Sequence, residues 1–205
     1  MAEETGLIVP LGLDILRRAC RDAAAWPDDG LRLNVNLSAV QLLDPELVTQ
    51  VVQVLADTGL PPRRLVLEVT ETALVADVPA AAASLRDLRD RGVAVALDDF
   101  GTGYSSLASL RELPIDQIKL DRAFVTGLGG AVADEILVAA VLTMARGLGL
   151  TVVAEGVEER LQLERLTAYG CDRVQGYLLA RPMAADAWDA LLERAAPSFV
   201  LGDSS

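Results

Sequence analysis

The strongest constraint on this chain is a rhythm: short β-branched runs alternate with helical patterns, and a polar side chain sits at or beside the end of each run. The runs Leu31–Leu37, Leu65–Thr70, Val93–Leu97, Gln117–Leu120, Leu150–Ala154 and Arg173–Gln175 read as strands. An amphipathic helix over roughly Leu11–Trp26 precedes them. Asp44-Pro45-Glu46, with Asp44 as N-cap and proline in the first turn, opens a helix that Gly59 stops. Val78-Pro79 opens another, closed by Gly92, and Ala131–Leu148, Arg160–Tyr169 and Ala184–Ala195 complete the series. Such alternation predicts one α/β domain with a parallel sheet over residues 1–196, followed by a tail, 197–205.

The polar residues carry the functional signal. Asn36 ends the first strand, Glu68 and Glu71 the second, and Asp98-Asp99 the third; Lys119 and Asp121 end the fourth, Glu155 and Glu158 the fifth, Gln175 the sixth. Any one of these alone reads as a helix cap or a solvated residue. Six in succession point to one mouth, because the C-terminal strand ends of a parallel α/β barrel converge there. Side-chain alternation turns Glu68, Asn36 and Lys119 away from their apolar neighbours and toward the barrel axis. Carboxylates crowded on one axis repel unless cations sit among them.

The chain has no histidine, which excludes histidine triads, histidine bases and the usual histidine-rich zinc or iron sites. A metal here must be held by oxygen, which points to one or two Mg²⁺ or Mn²⁺ ions. Thirty acidic against 18 basic residues leave a net charge of −12. That balance argues against duplex DNA, and 4% aromatic content argues against a base-stacking surface, so neither DNA nor RNA is an expected partner. A small phosphate ligand fits if metal supplies the positive charge. Cys20 and Cys171 follow no zinc or redox spacing and read as buried thiols of a reducing compartment. The acidic start Met1-Ala2-Glu3-Glu4 is no secretion signal, and the charge-free stretch Ile136–Ala145 is too short to insert in a membrane. A cytoplasmic protein is expected.

After Asp98-Asp99 comes Phe100-Gly101-Thr102-Gly103-Tyr104-Ser105-Ser106, a loop whose glycines let backbone approach or move over a ligand. Together with Val35-Asn36-Leu37-Ser38, Glu68-Val69-Thr70-Glu71, Ile118-Lys119-Leu120-Asp121, Ala154-Glu155-Gly156-Val157-Glu158 and Gln175-Gly176-Tyr177, this stretch resembles the EAL-domain cyclic di-GMP phosphodiesterases, in that family's order. The resemblance implies a TIM-type (β/α)8 barrel, a two-metal site and opening of cyclic di-GMP to linear pGpG. By the same resemblance Asn36, Glu68, Asp98 and Asp99 are metal ligands. Lys119 positions the attacking water or the phosphate, and Glu155 is the general base or binds that water. Glu158, Gln175 and Asp121 complete the pocket, while Glu71 anchors the Asp98–Ser106 loop, which the family links to dimerisation. A homodimer, and sensor or GGDEF domains outside this chain, are what the family allows for.

The family's namesake Glu-Ala-Leu string is absent. The resemblance puts its metal-binding glutamate and phosphate-binding arginine upstream of Met1, with the first two strands. Successive strand-end positions lie 20 to 36 residues apart, so this chain holds about six βα units where a full barrel takes roughly 250 residues. An incomplete barrel leaves two readings open: the phosphodiesterase, or a catalytically impaired cyclic di-GMP receptor or protein-interaction module. An enolase-like metal barrel also places carboxylates at strand ends, but does not account for the strings above.

Overall fold

The computed structural model describes residues 2–26, 30–75, 77–101, 110, 113–130 and 132–195. The expected tail and most of the glycine loop, including Thr102–Ser106, fall outside them. Six strands form one parallel sheet in sequence order: β1 (Leu33–Asn36), β2 (Leu65–Thr70), β3 (Ala94–Phe100), β4 (Gln117–Leu120), β5 (Thr151–Ala154) and β6 (Arg173–Val174). The sheet is an incomplete TIM-type barrel, as the strand count led one to expect.

Helices α1 (Ile8–Ala24), α3 (Leu47–Thr58), α5 (Val78–Asp90), α7 (Val132–Gly147), α8 (Arg160–Ala168) and α9 (Ala185–Ala195) match the predicted ones within a few residues. Helix α3 begins later than its proline signal: Asp44 accepts the Glu46 N–H at 2.9 Å and so caps the lead-in turn, not the helix. Short helices α2 (Ala39–Leu42), α4 (Glu71–Val75) and α6 (Arg122–Thr126) were not foreseen. They start within three residues of the ends of β1, β2 and β4.

Alternation splits the sheet into two faces. Leu67, Val69, Val95, Leu97, Ile118, Leu120, Val152 and Ala154 pack on Leu85 and Leu88 of α5, Leu142 and Ala145 of α7 and Leu166 of α8 in one core. The opposite face carries the small buried Val66, Ala96 and Val153, and beyond them the polar residues of the site. Cys20 is fully buried in the core and its thiol is pushed up to about 11 by burial; Cys171 is half-buried, and burial raises it too. Among the described residues no helix is long and apolar enough to cross a membrane.

The end of the sheet opposite the mouth is fastened by aspartates that precede strands. Asp116, just before β4, accepts the Val95 N–H of β3 at 2.9 Å and the guanidinium of Arg89 on α5 at 2.7 Å. Asp172, just before β6, accepts the Val152 N–H of β5 at 2.8 Å. Each carboxylate replaces a backbone acceptor that the staggered strand start does not supply. Asp116→Ala orphans both donors and is expected to cost about 1.5–3 kcal/mol, read from urea denaturation.

Candidate active site

Lys119 is the centre of the mouth. Its Nζ lies 2.7 Å from Glu68 Oε2, 3.0 Å from Asp98 Oδ1 and 2.8 Å from Glu155 Oε1. One ammonium, 6% exposed, therefore ties β2, β3 and the end of β5 to β4. Burial alone would drive its proton off; hydrogen bonds to Glu155 and Glu68, and their charges, outweigh that and raise it above the ordinary lysine range. Glu155 is raised: burial is the main cause, the Lys119 hydrogen bond and charge oppose it, and Asp98 and Glu68 add to it.

Two adjacent aspartates reach this centre because β3 is irregular. Its register on β4 shifts between Leu97 and Phe100, and Asp99 sits at φ +54°, a left-handed value uncommon outside glycine. In a regular strand Asp98 and Asp99 would point to opposite faces. Here one oxygen from each of Asp98, Asp99 and Glu155 lies within 4.8 Å of the others. Burial raises Asp99, as do the charges of Asp98 and Asp121. Three carboxylates so placed, on a chain without histidine, suit a hard, oxygen-seeking divalent cation.

The other expected site residues spread around this core. Asn36 pairs in register with Glu68, yet the amide that meets Glu68 is that of Asn34, donating to Oε1 at 2.6 Å. Asn34 shares a strand face with Asn36, so its two-residue offset was the available signal. Glu71 is buried and accepts the Gly101 N–H at 3.2 Å, an anchor on the first residues of the glycine loop. Asp121 caps α6 through the Ala123 N–H at 2.8 Å. Glu158 stands 3.1 Å from Arg122. Gln175 is exposed, and its backbone bridges Ala154 and Val157.

The model of the EAL domain family matches residues 1–182. This chain is an EAL domain. A signalling protein of Caulobacter vibrioides without an assigned function is 49% identical over 187 residues, covering 91% of this chain and 23% of that protein. The bifunctional diguanylate cyclase/cyclic di-GMP phosphodiesterase MucR of Pseudomonas aeruginosa is 44% identical over 189 residues, 91% of this chain and 28% of MucR. The EAL domain thus spans about a quarter of the length of these relatives.

Solved structures agree with its fold. The MucR phosphodiesterase in complex with c-di-GMP superposes with a TM-score of 0.85 at 44% identity, covering 91% of this chain and 77% of that one. The EAL domain of Mycobacterium smegmatis DcpA gives 0.85 at 40% identity, with coverages of 92% and 86%. A manganese/cy-diGMP complex of Klebsiella pneumoniae BlrP1 gives 0.81 at 32% identity, with coverages of 86% and 45%.

Removing the ammonium isolates the role of the central charge. Lys119→Met is expected to cost about 3–5 kcal/mol at pH 7, because it leaves buried carboxylates uncompensated. Those carboxylates then hold protons more tightly folded than unfolded, so stability of the variant rises as pH falls from neutrality toward the ordinary carboxylate range. Urea denaturation between pH 7 and pH 5 reads the sign; a variant that loses stability on acidification contradicts the cage.

Proposed function

We propose that this EAL domain hydrolyses one phosphodiester of cyclic di-GMP to give linear pGpG, with Mg²⁺ or Mn²⁺ held at its mouth. The observation that supports it most is the Asp98–Asp99–Glu155 oxygen cluster beside a buried lysine at converging strand ends. Relatives whose structures contain cyclic di-GMP, and in one case manganese with it, point to the same substrate class.

On this reading Glu68, Asp98, Asp99 and Asn36 are the ligand set, of which Asp98 and Asp99 belong to the oxygen cluster and Glu68 stands beside it on Lys119. When bound, two such ions supply charge that acidifies water and offsets negative charge on the phosphate. Glu155 is the proton acceptor for the attacking water: burial raises its affinity for a proton, and the Lys119 hydrogen bond and charge oppose that rise. Lys119 stays protonated and faces the charge that grows on the phosphoryl oxygens as the P–O bond breaks. Glu71 holds Gly101 and with it the entry to the glycine loop. Gln175, Asp121 and Glu158 border the pocket. A homodimer, a cytoplasmic location, and sensor or GGDEF domains beside this one belong to the same proposal.

The second reading is a cyclic di-GMP receptor or protein-interaction module, which keeps the fold without turnover. Incubation of the purified chain with cyclic di-GMP and Mg²⁺ or Mn²⁺ separates the two. Hydrolysis predicts pGpG by chromatography, with Glu155→Gln slower by about 10²–10⁴-fold. Tight binding without product selects the receptor, and neither binding nor product sinks both.

A further inference from the structure

Glu155 leaves β5 on a turn, Glu155–Glu158, whose centre is Gly156 at φ +68°. A glycine there gives the turn no side chain of its own to hold it, so neighbours must. On one side the chain after β6 does this. The Val157 N–H donates to Gln175 O at 3.0 Å and the Leu178 N–H to Val157 O at 3.0 Å. A Cβ on Gly176 would lie 2.1 Å from Val157 O, so the two backbones touch directly.

On the other side stands Arg122, the first residue of α6. A Cβ on Gly156 would lie 2.5 Å from Arg122 Cγ and 2.9 Å from its Cδ, which places the arginine stem flat against the turn. Its guanidinium then reaches Glu158 Oε1 at 3.1 Å. The stem covers the middle of the turn, and at its far end the charge adds to the bond that the Glu158 N–H donates to Gln162 Oε1 at 2.9 Å. Both groups of the pair are substantially exposed, 61% and 39%, so the pair adds little to global stability. What it restricts is local: rotation of the peptide that carries Glu155.

We propose that Arg122 is a positioning residue, which clamps the Glu155–Glu158 turn from the β4 side through Gly156 and Glu158 and so aims the Glu155 carboxylate at the centre of the mouth. Glu158 then serves the site through Arg122. The inference rests on the reading of Glu155 as the group that takes the proton from water. Displacements near 1 Å at such a group cost about a hundredfold in rate.

The test uses the whole chain and two readouts, with Arg122→Ala, Arg122→Lys and Glu158→Gln. By hydrogen exchange, Arg122→Ala is expected to speed exchange of the peptide spanning Glu155–Glu158 by about tenfold while β4 and β5 keep their protection. With cyclic di-GMP and Mn²⁺, kcat is expected to fall about ten- to a hundredfold with KM within about twofold. Arg122→Lys keeps charge and most of the stem and is expected to recover most of both. Arg122→Ala combined with Glu158→Gln is expected to speed exchange at the turn no further than Arg122→Ala alone. Unchanged exchange overturns the clamp, and so does faster exchange with wild-type kcat. If the wild-type chain yields no pGpG, the proposed function fails by itself. Exchange at the turn then still decides the clamp.

Discussion

One buried ammonium surrounded by carboxylates organises this domain. Glu68 and Asp98 lie on β2 and β3 and Glu155 just after β5, and without Lys119 between them their charges would push the three apart at the mouth. The parallel register brings the four together: Glu68 lies beside Ala96 across β2–β3, two residues before Asp98, and Lys119 lies beside Val153 across β4–β5, two residues before Glu155. A cage of this kind is a poor source of stability compared with packed hydrophobic residues. Its presence in the interior of the mouth is therefore an argument for chemistry.

The two ends of the sheet solve opposite problems. At the closed end, Asp116 and Asp172 turn their carboxylates to strand N–H groups and an arginine. At the mouth the carboxylates face one another around a single cation, and the Asp98-Asp99 bulge adds an extra oxygen donor to the same face. Excess negative charge concentrated there is what a divalent cation would neutralise. The net charge of −12 has one local expression in this cluster.

Much of the site was legible because strand ends have a fixed meaning in parallel α/β folds. Glu68, Asp98, Lys119 and Glu155 follow from alternation and from their place at or beside the end of each run. Asn34 was passed over because it sits inside a run and Asn36 at its end, although both lie on the same face. Arg122 was invisible, since its role depends on Gly156, 34 residues later. The short helices α2, α4 and α6 span 4 to 5 residues, too few for a helical period to show.

By itself the sequence determined the class of fold, the order of the strands and a carboxylate-rich mouth without histidine, because period, turn residues and composition are local properties. Only the tertiary structure decided which carboxylates share Lys119, that Asp98 and Asp99 reach one side of the sheet, and that Glu158 answers to Arg122. Those facts depend on register and on a bulge, and a shift of one residue in either reverses the face a side chain presents.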